Sequence, residues 1–334
     1  MDRRQALSAL QKSTITTEVG GQLDPEQSKT FIQEVQDRSS FGSAIRLERR
    51  TAEKGKIERM GNGSRLMRGK EENADDGYRA GISTSEAEYQ TSKLWLPFEV
   101  TEDFFHENIE GEAAEAKIIA RMTSQFGLDL DDLNINGDET SEDAFISLDN
   151  GLLKLLATEA TGANRVDATK VKDAEGTELR GAMDKALFFA AKYAMPDKYV
   201  NSGRLRWFMS PNRWTSWIEY LTNRATGAGD DALMAKALFP LGIPPFVGAA
   251  SDENPTPMPG VPFFPDDRIV LADPQNFVRV VNWDVRSKRV TGETDWELAT
   301  RDKRGYVFFI KPDFVIDQGE AVVDLHGLSE ITVP

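Results

Sequence analysis

The most regular pattern of hydrophobic positions in this sequence lies between residues 105 and 133. Apolar or small side chains recur there every three or four residues, at Ile109, Ala113, Ala116, Ala120, Thr123, Phe126, Leu130 and Leu133. This spacing predicts one long amphipathic helix with a single apolar stripe. At 1.5 Å per residue the predicted helix is about 44 Å long, so we interpret it as a structural strut.

An alternating pattern precedes this helix and predicts a strand. Its two faces carry Leu94, Leu96, Phe98 and Val100 on one side and Trp95, Pro97 and Glu99 on the other. Further strands are predicted at 205–209, 268–271, 278–283, 306–310 and 314–316, and helices at 183–194 and after Ser210-Pro211. Helices and strands do not alternate regularly, which predicts an α+β fold.

Between residues 48 and 93 the hydrophobic pattern almost disappears, and charged residues and glycine dominate. Such a segment cannot offset its own ordering entropy, which is about 1–2 kcal/mol per residue for the backbone. We therefore expect it to be ordered by contacts outside its own fold, most economically with another copy of the chain. Within it, residues 56–60 and 64–68 flank Gly61-Asn62-Gly63, a pattern that predicts a two-stranded ribbon with a turn.

Composition narrows the classes of function. The 334 residues are 40% hydrophobic and include no cysteine, which excludes disulfides, thiolate zinc sites and cysteine nucleophiles. No apolar run is long enough for a transmembrane helix, so we expect no membrane partner. The polar start of the chain also lacks the apolar core of a secretory signal.

The net charge of −15 is unevenly distributed along the chain. Basic residues exceed acidic ones between 48 and 70, whereas residues 99–149 are strongly acidic and contain only Lys117 and Arg121 as basic residues. A basic segment followed by an acidic body predicts that copies of the chain attract one another. The alternative is that both segments are solvated surfaces without a partner.

One local motif resembles a metal site. Residues 132–143 match the calcium-loop template at several ligand positions, but Asp143 replaces the usual bidentate glutamate and Glu139 replaces a hydrophobic residue. The alternative is a helix exit in which Asn136-Gly137 supplies a positive φ. His106 and His326 have no evident catalytic partner, and no nucleophile or phosphate-binding motif is present, so we predict no enzymatic activity and no cofactor.

The order of these features resembles the major capsid proteins of tailed bacteriophages, which share the Hong Kong 97-type fold. The resemblance runs from about Gly20 to Val323 and rests on the order and spacing of several segments. These are the turn and short helix at 20–35, the charged excursion, the strand at 94–100, the acidic helix with its 131–138 exit, and the segments 208–211, 264–267, 271–276 and 314–316.

The resemblance implies a division of the chain into five parts. They are an N-terminal arm (1–47), an extended loop (48–93), a peripheral domain with a long spine helix (94–150), an axial domain (151–299) and a return to the peripheral domain (300–334). It also implies self-assembly into hexamers and pentamers of an icosahedral shell around double-stranded DNA. Packaged DNA bound without sequence specificity and scaffold, portal and decoration proteins are the implied partners. The implied location is the virion, assembled in the host cytoplasm.

We assign the contacts between copies from the charge pattern. Basic residues of the loop are expected to face acidic residues at the start of the long helix of a neighbour. The residues are Arg49, Arg50, Lys56, Arg59, Arg65 and Arg68 on the loop, and Glu107, Glu110, Glu112 and Glu115 on the helix. Some capsid proteins of this kind also join neighbours through a Lys–Asn bond, but no partner is identified for the loop lysines.

Two other interpretations are compatible with the sequence. A cellular nanocompartment shell of the encapsulin type can share this fold and encloses protein cargo instead of DNA. A metal-assisted hydrolase would instead use the 132–143 loop as its metal site.

Overall fold

The computed structural model describes residues 41–61, 83–103, 112–158, 161–200, 202–222, 239–248, 258–282, 286–290, 300 and 302–331. The predicted short helix at 20–35 lies outside these residues. The described helices are α1 (Glu112–Asn136), α2 (Leu152–Ala157), α3 (Lys185–Ala194), α4 (Asp197–Val200) and α5 (Pro211–Thr222). Short 3-10 helices occur at Ile146–Leu148, Ala168–Lys170, Pro240–Gly242, Pro274–Asn276 and Gly319–Ala321.

The described strands are β1 (Arg46–Arg50), β2 (Lys54–Gly61), β3 (Ser83–Gln90), β4 (Leu94–Thr101), β5 (Asn164–Asp167), β6 (Arg206–Phe208), β7 (Arg268–Ala272), β8 (Phe277–Asn282), β9 (Arg286–Val290), β10 (Lys303–Ile310), β11 (Pro312–Ile316) and β12 (Val323–His326). They form sheets in the orders β1-β8-β11, β4-β10-β9, β5-β12-β7-β6 and β2-β3. The predicted α+β class is confirmed as a mixed fold of helices and sheets.

The predicted strut is helix α1, which we call the strut helix. It ends at Asn136, one turn later than predicted, and its 25 described residues span about 37 Å. Residues 104–111, where the helix was predicted to begin, lie outside the described residues. Phe126, Leu130 and Leu133 pack against Leu94, Leu96 and Phe98 of β4 and Phe308 and Ile310 of β10, so the predicted apolar stripe is confirmed over its described part.

A second core lies on the sheet β5-β12-β7-β6, which α3 and α5 cover. Phe188 contacts the rings of Trp207 and Trp217 edge-on, with centroids 4.9 and 4.8 Å apart. Ser210 Oγ accepts a hydrogen bond from the Arg213 amide at 3.0 Å, as expected for the Ser-Pro start of α5. These contacts fix the helices over the sheet by burial and by a satisfied helix start.

A buried ion pair joins the two halves of the chain. Arg279 of β8 donates to Asp131 of the strut helix at 3.0 Å, and the two side chains are 2% and 1% exposed. Asp131 also accepts hydrogen bonds from the backbone amides of Phe41 and Gly42 at 3.0 and 3.1 Å. A buried charge is tolerable only when it is paired and hydrogen-bonded in this way. One carboxylate therefore ties together the strut helix, the sheet β1-β8-β11 and the segment that enters β1.

The prediction that strand 56–60 pairs with residues 64–68 is wrong. Strand β2 pairs antiparallel with β3, from Lys54 opposite Gln90 to Gly61 opposite Ser83. The predicted second strand at 64–68 lies outside the described residues. The observed register places Ile57, Ala87 and Tyr89 on one face, against Val278, Val280 and Val315 of the main body. Burial of this apolar face over a long sequence separation outweighs the local turn signal.

The expectation that 48–93 lacks a core of its own is wrong at both described ends. Residues 48–50 belong to β1, which runs parallel to β8 in a sheet of the main body. Ile57 and Tyr89 are 3% and 6% exposed. The excursion is therefore rooted in the core of its own chain.

The prediction that Asn136-Gly137 supplies a positive φ at the helix exit is wrong for Gly137. It is absent from the described glycines with positive φ, so the helix exit does not need it for a left-handed turn. Its amide donates to the Leu133 carbonyl at 2.9 Å. A Cβ at this position would lie 2.4 Å from the carbonyl oxygen of Asp149 and 2.6 Å from that of Leu133. Glycine is required because two backbone segments approach each other closely.

We expect Asp131→Ala to lower the free energy of unfolding by about 3–5 kcal/mol, because it leaves Arg279 buried without its carboxylate. Urea denaturation of the full-length chain measures the change. Asp129→Ala is the matched control, since Asp129 lies on the same helix and accepts an exposed hydrogen bond from Gln125; it should cost about 1 kcal/mol or less. Equal losses in both variants would contradict a special role for the ion pair.

Candidate inter-subunit interface

The ribbon formed by β2 and β3 is attached to the body at its base, residues 54–57 and 87–90, which we call the ribbon root. The Gln90 amide donates to Asp313 Oδ2 of β11 at 2.7 Å, and the Ser92 amide donates to the Pro312 carbonyl at 3.1 Å. Lys311 forms an ion pair with Glu53, and its hydrogen bond to this carboxylate lowers the pKa of Glu53. Backbone and side-chain bonds therefore fix the position from which the ribbon extends.

The outward face of the ribbon carries charges of both signs. Lys56 pairs with Glu86 at 2.5 Å and with Glu88 at 3.5 Å across the two strands. The hydrogen bond to Glu86 is the main reason that the pKa of Lys56 is raised. Opposite charges on facing positions support the antiparallel pairing, although each exposed pair contributes little.

The structure places the predicted contact residues as follows. Arg50 Nη2 pairs with Glu48 at 2.9 Å on β1, and Lys56 pairs within the ribbon. Arg49 is half-buried on β1, and Arg59 lies on β2. Glu112 and Glu115 lie in the first described turns of the strut helix. Arg65, Arg68, Glu107 and Glu110 lie outside the described residues. A single copy does not test contacts with a neighbour, so this set stays a prediction.

The alternation of β4 places Trp95 on the face opposite Leu94, Leu96 and Phe98, but it does not predict that Trp95 is exposed. Trp95 is 62% exposed and pairs across the sheet with Phe309, while Pro97 pairs with Val307. The Lys93 ammonium lies 4.8 Å from the centroid of the Phe309 ring. An exposed tryptophan beside other apolar residues on an outer strand face is a candidate interaction surface. The available signal was a tryptophan at an outward strand position.

A second exposed aromatic pair lies on α3. Phe189 and Tyr193 are one helical turn apart, with ring centroids 6.3 Å apart, and Tyr193 is 82% exposed. The opposite side of the same helix is buried against the second core. The period of α3 predicted the buried side but did not indicate that the outer side carries two aromatic rings.

The calcium-loop oxygens have other uses in this structure. Asp138 accepts from Thr140 and from Lys154, and these hydrogen bonds, Thr140 first, lower the pKa of Asp138 to about 2. Asp143 accepts from the amides of Phe145 and Ile146 at 2.8 and 3.2 Å. Across the described ranges, no group of three or more His, Cys, Asp or Glu residues could hold a metal ion. The loop is organised as a capped turn closed by an ion pair.

His326 lies on strand β12, where it faces Arg268 on β7 and Asp167 on β5. His106 is outside the described residues. None of the described helices combines the length and the apolarity that crossing a membrane requires.

No protein-family model matches this chain. It is 25% identical over 337 residues to YqbE of Bacillus subtilis (strain 168), which carries the name of a proposed prophage capsid protein, covering 99% of this chain and all of the relative. Among solved structures, the satellite phage P4 procapsid with its size determination protein matches with a TM-score of 0.63 and 16% identity over 98% of both chains. The capsid of an empty GTA particle matches with a TM-score of 0.55 and 13% identity over 94% of both chains.

This chain resembles phage capsid proteins. The likeness to solved structures shows the fold, and the relative in Bacillus subtilis extends the likeness to sequence along almost the whole chain. The predicted resemblance to phage major capsid proteins is therefore confirmed. Capsid proteins are structural proteins, not enzymes, which favours the structural interpretation over a hydrolase.

We expect Ile57→Ala to destabilise the chain by about 2–5 kcal/mol, because Ile57 fills the contact between the ribbon root and the main body. Urea denaturation and amide exchange of residues 87–90 measure the loss. Glu58→Ala is the matched control on the opposite, exposed face of β2, with an expected change within about 0.5 kcal/mol. If the two variants behave alike, the ribbon is not rooted in its own core.

Proposed function

We propose that this chain is a major capsid protein that self-assembles into the hexamers and pentamers of an icosahedral shell enclosing double-stranded DNA. The observation that carries the proposal is the similarity along the whole chain, both in fold to the P4 procapsid and in sequence to a prophage capsid protein. The packaged DNA would be held without sequence specificity. Scaffold, portal and decoration proteins are further proposed partners, and the virion, after assembly in the host cytoplasm, is the proposed location.

The proposed division of the chain is an arm (1–47), an extended loop (48–93), a peripheral domain (94–150), an axial domain (151–299) and a returning segment (300–334). The strand pairing crosses these boundaries, because residues 48–50 lie in β1 beside β8, and β12 of the returning segment pairs with β5 and β7. One physical property supports a separate loop. Its root is anchored in the body, while its outward face is charged and offers little apolar surface for burial within the same chain. A loop of this kind gains most from contact with a neighbouring copy.

Assembly would follow from repetition of modest contacts. Each contact on a charged ribbon or an exposed aromatic face is weak alone, but a closed shell repeats it around every symmetry axis. We propose two kinds of surface for these contacts. The first is the charge pairing between the basic loop and the acidic helix start, and the second is the apolar face around Trp95.

Negative-stain microscopy of the purified full-length chain tests the proposal directly. We expect closed shells of uniform diameter. A chain that remains monomeric at all concentrations would refute a shell role. Nuclease treatment of particles from infected or induced cells then separates two kinds of shell. Enclosed double-stranded DNA supports the capsid, and an enclosed protein cargo supports a cellular nanocompartment instead.

We expect shell assembly to weaken as ionic strength rises, because the proposed loop contacts are electrostatic and salt screens them. Arg59→Glu and Arg65→Glu should weaken assembly further at low salt by placing like charges opposite the acidic helix. Light scattering against protein concentration measures both effects. Lys172→Glu, an exposed change of the same charge in the body, controls for net charge. Unchanged assembly in the loop variants would refute the charge pairing.

We expect Trp95→Ala to raise the protein concentration needed for assembly while changing the free energy of unfolding by only about 0.5 kcal/mol. Its side chain is exposed in a single copy and gains burial only from a partner. Sedimentation of shells and urea denaturation measure the two effects separately. Thr101→Ala, on the same exposed face of β4, is the control. Assembly equal to that of the control would show that this face is not a contact surface.

A further inference from the structure

A groove of about 860 Å³ lies at the ribbon root, between the ribbon and the body. The ribbon forms one wall, and the other walls are the loop after the strut helix, α2 and β11. The lining is acidic, because it contains five carboxyl groups and two lysines. The carboxyl groups are those of Glu86, Glu88, Glu139, Asp149 and Asp313. The half-buried side chains of Leu155 and Ala87 add apolar surface, so the groove suits a segment that is both basic and apolar.

The two most buried of these carboxyl groups belong to Asp149 and Asp313, which are 6% and 7% exposed. The Asn150 amide donates to Asp149 Oδ1 at 2.9 Å, and the Gln90 amide donates to Asp313 Oδ2 at 2.7 Å. Within the described part of the chain, no lysine or arginine forms an ion pair with either aspartate. A buried carboxylate is best stabilised by a paired cation, so the groove offers a place for a positive side chain.

The lysines of the groove do not supply this charge. Lys56 is already paired with Glu86 and Glu88 on the ribbon. Burial, followed by the charge of Asp313, raises the pKa of Asp149 to about 8, the direction expected for a carboxyl group without a nearby cation. A positive side chain beside Asp149 would favour its ionised form and would itself be stabilised there.

Residues 3–12 have the matching composition. They contain Arg3, Arg4 and Lys12 and no acidic residue, and Leu7 and Leu10 supply apolar side chains. They belong to the 40 residues that precede the described part of the chain. The rest of that stretch, residues 13–40, carries more acidic than basic side chains. Its positive charge is therefore concentrated at residues 3–12.

This stretch joins the described chain close to the groove. The Phe41 amide donates to Asp131 of the strut helix at 3.0 Å. Gly137 follows six residues later, about 9 Å away at the helical rise. The Gly137 carbonyl accepts from the Gly151 amide at 2.9 Å, next to Asn150, which lines the groove. The 28 residues between positions 12 and 41 span up to about 90 Å when extended, so residues 3–12 can reach the groove of their own chain.

We propose that residues 3–12 dock in the groove of their own chain and fasten the ribbon root to the body. Their basic side chains would pair with Asp149 and Asp313, and their leucines would cover Leu155. Because the walls belong to the ribbon, α2 and β11, the docked segment would contact all three elements. It would thereby set the direction in which the ribbon leaves the body. The inference concerns one copy of the chain, so it can hold or fail independently of shell assembly.

The chain contains no cysteine, so a disulfide between two introduced cysteines tests the docking without a background reaction. Ser8→Cys is combined with Thr158→Cys, an exposed position of the groove lining, in the full-length chain at low concentration with an added oxidant. The control combines Ser8→Cys with Thr177→Cys, which replaces an exposed threonine outside the groove lining. We expect the intramolecular disulfide to form at least about tenfold faster in the first pair, because docking raises the effective concentration at the groove.

Non-reducing electrophoresis and mass spectrometry distinguish the products. Equal rates in the two pairs would overturn the proposal, because a tethered but undocked segment reaches both positions alike. Disulfide-linked dimers in place of the intramolecular product would also overturn it, because the groove would then hold the segment of a neighbouring copy.

Arg3→Glu combined with Arg4→Glu should lower the rate of the Thr158 pair to that of the control, because the reversed charges would face carboxyl groups. Lys29→Glu combined with Arg38→Glu changes the net charge equally in the same stretch and should keep the fast rate. Without the cysteines, only the first of these charge reversals should lower the amide protection of residues 86–90. If that reversal changes neither the rate nor the protection, the proposal is wrong.

Discussion

The arrangement of this chain depends on one buried ion pair, between Asp131 of the strut helix and Arg279 of β8. Removing both charges from water is costly, and the cost is offset only because Asp131 also accepts from Phe41 and Gly42. The pair therefore requires the helix, the central strand and the segment entering β1 to be in place together. Strand β11 pairs with β8, and the ribbon root packs on the same sheet, so the contact lies at the centre of the elements that carry the ribbon.

Two buried carboxylate sites show how the partner decides the chemistry. Asp131 faces a guanidinium that stays charged, although burial lowers the pKa of Arg279. Burial, followed by the charge of Asp313, raises the pKa of Asp149 to about 8, which favours a bound proton there. The Asp131–Arg279 site is a buried ion pair within the body. The second lies where the ribbon joins the body.

The ribbon combines a buried root with a charged outer surface. Ile57 and Tyr89 attach it to the same sheet that the ion pair positions, whereas Lys56 and its glutamate partners face outward. The root is therefore buried in the core, whereas the charged outer face of the ribbon and the exposed ring of Trp95 lie at the surface. Such a division suits a protein whose remaining contacts are supplied by identical neighbours, as in the shell that we propose.

Local pattern in the sequence determined the α+β class, the apolar stripe of the strut helix, the alternation of β4 and the Ser210 start of α5, because each depends on residues a few positions apart. The tertiary structure alone decided that β2 pairs with β3, that Gly137 is needed for a close approach, and that Asp131 meets Arg279. The ribbon's apolar face is buried by strands far away in sequence, and the buried ion pair joins residues that only the folded chain brings together. Periodicity is a property of one segment, whereas pairing is a property of two, and their distance in space is set by the whole core.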